Sequence, residues 1–442
     1  MPLTARRSRH PASGGAKLKR QPELDALRGL FLVWMTLTHL PTQFSDLVNQ
    51  PFGFISSAEG FVFVSAFLVG RLYIREQLQD GLKVRAKLWK RSLKVYGYHL
   101  VMLALTFTLA GAYAVHTHKA AIYNLLDFYL AHPFVAVIGS ALLLYCPPLL
   151  DILPMYVIFL FLTPLVLSAA VRIQWRRVLM GSSLIWLLAQ FGLRDLVHNW
   201  IVALTHLNIP LQETGAFNLF AWQLVWIVGL WLGARTATHE PTLRRVPGWV
   251  AALSLAACIF FIGVRWGWLG PHLTQEALGI QLDKWKIGPL RILNLVTFSI
   301  VGYWMRKYLI RWLAIEPFLT LGKASLRVFC AHVVFVFAGL SLLVRDVNQD
   351  VGAPPEQLHG ISAAVLLVAT FTGLILVATH EVRTRKADRA ARMAAQEGIQ
   401  LSAVDSAGAI FAESLAFRHP AAAEHSSEDR TLGAPALAKA LR

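Results

Sequence analysis

The chain has 442 residues, of which 56% are hydrophobic and only 15% charged. A soluble domain carries charge on about a quarter of its residues, so composition argues against a water-soluble globular fold. The formal net charge of +17 would suit a nucleic-acid partner by size alone. Its placement argues otherwise, because the basic residues sit in short stretches between apolar runs, where they set membrane orientation.

In chain order, residues 1–21 form a basic segment that includes Arg6, Arg7, Arg9, Lys17, Lys19 and Arg20. The apolar run that follows carries Arg28 and His39 and ends in LPTQFSDLVNQP, with no small-residue cleavage site. That pattern predicts an uncleaved first span rather than a signal peptide. Apolar runs of bilayer length then recur. They predict an all-α polytopic bundle of about ten transmembrane helices, near 24–44, 52–72, 95–115, 152–171, 177–193, 217–234, 247–266, 290–310, 318–343 and 360–381. The apolar stretch 134–150 is broken by Pro147 and Pro148 and reads as half-inserted or packed outside the bilayer. The transmembrane domain spans 22–382. The tail 383–442 starts as a helical extension and then becomes largely disordered.

Charge fixes an orientation for this map. With the N-terminus inside, 35 of the 42 Lys and Arg residues fall on the cytoplasmic side. Only Lys119, Arg194, Arg265, Lys284, Lys286, Arg291 and Arg345 lie outside. An even number of spans then places both termini in the cytoplasm. Cys146, Cys258 and Cys330 show neither metal-ligand spacing nor a disulfide framework, and no metal site is expected.

Ionisable groups inside spans are costly and mark candidate sites. Arg28 and His39 are eleven residues apart, which places them on one face of the first span and about 16 Å apart along its axis. Asp25 lies one turn before Arg28 and can pair with it. Glu59 in the second span is expected near the depth of His39, where it would orient the imidazole of a general base; a buried structural pair is the alternative. Ala66 and Gly70 share its face and permit close helix approach. In LGKASLRVFCAH, Ser325 and His332 share a face. His332 either takes part in chemistry or simply bonds a neighbouring carbonyl. The stretch from Arg71 to Lys94 carries eight basic residues and reads as a cytoplasmic loop that meets anionic lipid or a phosphate-rich ligand. Trp and His residues in the outer loops, among them His272, suit an interfacial belt or a sugar-binding surface.

Three of these stretches resemble the type-3 membrane acyltransferases. They are Arg28-x10-His39, AEGFVFVSAFLVG at 58–70, and LGKASLRVFCAH at 321–332. ELDALRGLFLVWMTLTHLP at 23–41, LLYCPPLLDILPMYV at 143–157, FNLFAWQLVWIVG at 217–229 and SLRVFC at 325–330 resemble the OpgC-type branch, succinyltransferases of osmoregulated periplasmic glucans. The similarity runs from about 21 to 381. Ala66 replaces the usual glycine of the second span, and Leu326 the usual tyrosine of the late motif.

The resemblance implies acyl transfer from cytoplasmic acyl-CoA, succinyl-CoA first, to a carbohydrate hydroxyl outside, with no permanently bound cofactor. It assigns His39 and Glu59 to catalysis and Arg28, Arg71 and Asp25 to the donor. Ser325, His332, Trp222 and Asp151 fall to the tunnel or acceptor side. The distal carboxylate of a succinyl group needs a cation, and Arg28, Arg291 and Lys286 are the candidates. The expected partners are acyl-CoA, a periplasmic glucan or other polysaccharide and membrane lipid, with no nucleic acid, in a bacterial inner membrane. Acetyl transfer to another envelope polysaccharide, a transporter or flippase, and a non-catalytic receptor or scaffold are the alternatives.

Overall fold

The structure, a computed structural model, describes residues 21–238, 246–270, 273–347 and 356–418. The expected basic segment therefore lies outside the described residues except for Gln21, as do His272 and the tail beyond Arg418. The described chain is helical. No β-strand occurs in it, only isolated bridges between Thr42 and Leu358 and between Lys119 and Asp346.

Helices cover every stretch expected to span. They are α1 (Pro22–His39), α2 (Ser57–Gln79), α3 (Gly81–Leu105), α4 (Ile152–Gln190), α5 (Leu219–Ala237), α6 (Gly248–Arg265), α7 (Pro289–Trp304), α8 (Phe318–Lys323), α9 (Ser325–Ser341) and α10 (Gly360–Arg418). Six helical stretches among the described residues are long and apolar enough to cross a membrane, and α9 is a shorter apolar helix. The chain divides into one compact unit through Val382 and a second from Arg383, which is helical through Arg418.

Local chemistry sets the helix ends. Pro22 opens α1 with Glu23 and Asp25 in its first turn, where proline needs no hydrogen bond and carboxylates meet the positive helix end. Ser56 and Glu59 form a reciprocal capping box at the start of α2. Asn218 caps α5 by accepting from the Phe220 and Ala221 N–H groups at 3.1 and 3.3 Å.

Two expectations need correction. The stretch from Arg71 to Lys94 is not a loop: α2 and α3 run through it with only Asp80 between them, and Asp80 caps α3 through the Lys83 N–H at 3.1 Å. The charges therefore ride on helix extensions beyond the apolar windows. Spans 152–171 and 177–193 lie, as expected, on two helices that meet at Gln174, whose φ is 73°. The stretch 318–343 is two helices parted at Ala324. The segment 134–150 holds a nine-residue helix, Pro133–Ala141, too short to cross a bilayer.

Glycine sets the packing. A Cβ on Gly233 would come within 2.0 Å of the Phe67 carbonyl oxygen, and one on Gly70 within 2.2 Å of the Leu230 carbonyl oxygen. The backbones of α2 and α5 therefore touch, as small-residue packing allows. A second contact joins α1 to α8, where a Cβ on Gly29 would meet the Phe318 carbonyl and one on Gly322 the Asp25 carbonyl.

Gly233→Leu should force α2 and α5 apart, at a cost of about 1–3 kcal/mol or more. We expect a lower thermal midpoint in detergent, measured by tryptophan fluorescence. Gly302→Leu, where a side chain meets nothing within 4 Å, should leave the midpoint unchanged; equal midpoints for both variants would disprove the contact.

Candidate functional site

The contact between α1 and α8 positions the seam that follows. Gly29 and Gly322 bring the start of α1 against the turn before α9. Arg28 on α1 donates to the hydroxyl of Ser325, the first residue of α9. Its guanidinium also lies 5.7 Å from the Phe61 ring centroid on α2. Further along both helices, His39 Nδ1 and His332 Nε2 are 3.1 Å apart, with ring centroids 5.3 Å apart. The two helices therefore run parallel, with an Arg–Ser pair at one end of the seam and a His–His pair at the other. His332 is fully buried and its Nδ1 lies 3.2 Å from the Phe329 carbonyl oxygen. His332 thus bonds a neighbouring carbonyl and also faces His39.

Glu59 is not where the sequence placed it. Gly60, its neighbour, packs against the ring of Phe31, eight residues before His39 on α1. The Glu59 carboxylate is bound elsewhere. Arg291 Nε donates to it at 2.6 Å, and the Arg291 terminal nitrogen lies 2.6 Å from the same oxygen. The Ser56 N–H donates at 3.0 Å, and the Ser56 hydroxyl is bonded to the same carboxylate. Both members of the ion pair are about 1% exposed. Arg291 also reaches Gln50 at 3.3 Å and the Leu282 carbonyl at 3.4 Å. It is thus a neutralised structural cation, not a free one at a mouth. The burial of a charge requires such a partner, and Ser56-x-x-Glu59 has the spacing of a capping box.

The remaining candidates separate. Asp25 is buried one turn before Arg28, with its carbonyl against Gly322. Arg71 lies in electrostatic range of Glu23 on the first turn of α1, at the same end of the bundle as Arg28. Trp222 is 0% exposed and holds the segment 279–288, donating its indole N–H to the Trp285 carbonyl at 3.1 Å. Phe217 packs edge-on against both Trp222 and Trp285. Trp222 is thus a packing residue rather than an exposed lining. Asp151 accepts from the Ala216 N–H at 3.2 Å, and burial pushes its carboxyl up to about 6.

The sequence counts Lys284 among the outer cations but gives it no place in the site. It sits in the loop that Trp222 anchors, half-buried, with its ammonium 4.6 Å from the Trp285 ring centroid. It is in electrostatic range of His39, Glu59, Arg291 and Asp151, and burial pulls its ammonium below the ordinary lysine range. No spacing rule links residue 284 to residue 39, so only the fold could reveal it.

One family model, described as OpgC protein, matches residues 20–383. The chain belongs to the OpgC family. That match covers every residue of the seam, from Arg28 to His332, together with the Glu59–Arg291 pair. Neither a search of curated proteins nor one of solved structures returned a match. The apolar helices and the family together make this a membrane protein of the OpgC type.

In this OpgC-family chain, Glu59→Gln should leave Arg291 charged and buried without a counter-ion. We expect a loss of about 3–5 kcal/mol of stability, read as a large drop in thermal midpoint and yield. The double variant Glu59→Gln/Arg291→Met should recover much of that loss. Additive effects in the double variant would refute the pairing.

Proposed function

We propose that this chain is a membrane O-acyltransferase. It moves a succinyl group from cytoplasmic succinyl-CoA to a hydroxyl of a glucan on the other side of an inner bacterial membrane. The observation that carries the reading is the α1–α9 seam, which joins an arginine at one end to a pair of imidazoles at the other. Arg28, with Arg71 nearby, meets the donor phosphates, which guanidinium groups bind well. The pantetheine arm follows the seam, and Ser325 holds Arg28 in place.

The chemistry at the outer end is acid–base. His39 takes the proton of the sugar hydroxyl as its oxygen attacks the thioester carbonyl carbon. The tetrahedral centre collapses, the C–S bond breaks, and the CoA sulfur leaves with the proton held by His39. The distal carboxylate of succinate needs a cation along this path. Arg291 is already matched by Glu59, so Lys284 takes that role. Acetyl transfer to another envelope polysaccharide is the neighbouring reaction, and it needs no such cation.

The topology belongs to the same proposal: ten spans, with both termini cytoplasmic. The map gives the first and ninth spans the same direction, and α1 and α9 are parallel. It also starts the second and eighth spans on one side, and Glu59 and Arg291 join the first turns of α2 and α7. A periplasm-active reporter fused after residue 390 should therefore be silent. Strong reporter activity would remove an odd number of spans.

Two measurements test the reaction. Purified protein given succinyl-CoA and a glucan acceptor should release free thiol and add succinyl mass, and His39→Ala should abolish both at equal expression. Unchanged modification by His39→Ala would remove the base, and a clear preference for acetyl-CoA would remove the succinyl group. Lys284→Met should lower kcat/KM for succinyl-CoA about tenfold, the worth of one charge-assisted contact, and leave acetyl-CoA turnover unchanged.

A further inference from the structure

The two imidazoles do more than meet. The Phe329 carbonyl can only accept a hydrogen bond, so the His332 Nδ1 that faces it at 3.2 Å carries a proton. His332 is buried in a span, where an unpaired charge is costly, and it has no carboxylate partner among the described residues. It is therefore neutral, with a lone pair on Nε2. That lone pair faces His39 Nδ1 at 3.1 Å. Two N–H groups pointed at one another would repel, so His39 Nδ1 carries the proton and donates it. The His39 Nε2 atom is then left unprotonated, and it makes no hydrogen bond among the described residues.

We infer that His332 is the positioning residue of this site: a relay from the Phe329 carbonyl through His332 holds His39 in the Nδ1–H tautomer, with Nε2 presented as the base. The inference rests on His39 being the general base proposed above. It gives His332 the task that the sequence assigned to Glu59. A neutral ring replaces a carboxylate as the orienting group. The same contact also fixes the plane of the His39 ring, because a hydrogen bond at one nitrogen sets the direction of the other.

The experiment uses the full-length protein in lipid, labelled with ¹⁵N-histidine, with His39 signals identified by their loss in His39→Gln. Solid-state NMR should find His39 protonated at Nδ1 in the parent and redistributed between tautomers in His332→Leu. Acyl transfer is measured in parallel. His332→Leu should lose about a hundredfold or more in kcat, with KM for the donor nearly unchanged. His332→Gln should retain most of the rate, because its side-chain oxygen can accept from His39 where Nε2 now does. Thermal midpoints of both variants establish that they are folded.

A parent His39 protonated at Nε2 would overturn the relay, as would His332→Leu at the parental rate. Loss in His332→Gln as complete as in His39→Ala, with the His39 tautomer intact, would make His332 a reacting group and overturn its positioning role. If the parent transferred no acyl group, the acyltransferase reading would fail by itself, and the tautomer would still decide the relay.

Discussion

Everything at the seam depends on how closely α1 can approach the α8–α9 turn. Gly29 and Gly322 remove the side chains that would keep the backbones apart, and each faces a carbonyl of the opposite helix. Only at that separation does the Ser325 hydroxyl reach Arg28 and the ring of His332 reach His39. The break at Ala324 is part of the same arrangement, since it separates α8, which packs on α1 at Gly29, from α9, which carries Ser325 and His332. Eleven residues separate the paired positions on α1 but only seven on α9.

A second support stands beside the first. The Glu59–Arg291 pair joins the starts of α2 and α7, and Arg291 reaches on to Gln50 and to Leu282 in the loop that carries Lys284. Trp222 holds the same loop from α5. That loop is therefore tied to α5, to α7 and, through Trp186 and Gln190, to α4. One buried, charge-neutral cluster does for it what water would do for an exposed loop.

Periodicity and hydropathy made the helices legible. Arg28 and His39, and likewise Ser325 and His332, could be placed on common faces because each pair lies on one helix, where 100° per residue is a reliable ruler. Contacts between helices were not legible in this way. An antiparallel neighbour of ideal length would bring Glu59 to the depth of His39. The chain between Leu40 and Ser56 instead returns inward, so Trp34 bonds the Val48 carbonyl at 2.7 Å and α2 starts lower. Arg291 is more than two hundred residues from Glu59, and no local pattern announces such a partner. The two halves of 318–343 ran together because hydropathy does not register a one-residue break.

The glycines differ in what faces them, and that difference governs how the sequence can drift. Gly60 meets the ring of Phe31 and Gly373 the ring of Phe335. At those positions a larger residue could be accommodated by a smaller one opposite, so each pair can change in concert. Gly29 and Gly322 meet carbonyl groups of the main chain, and every amino acid carries the same carbonyl. No second substitution can make room there. The outer pairs can be rewritten two letters at a time, but the crossing that aligns the imidazoles has only one spelling.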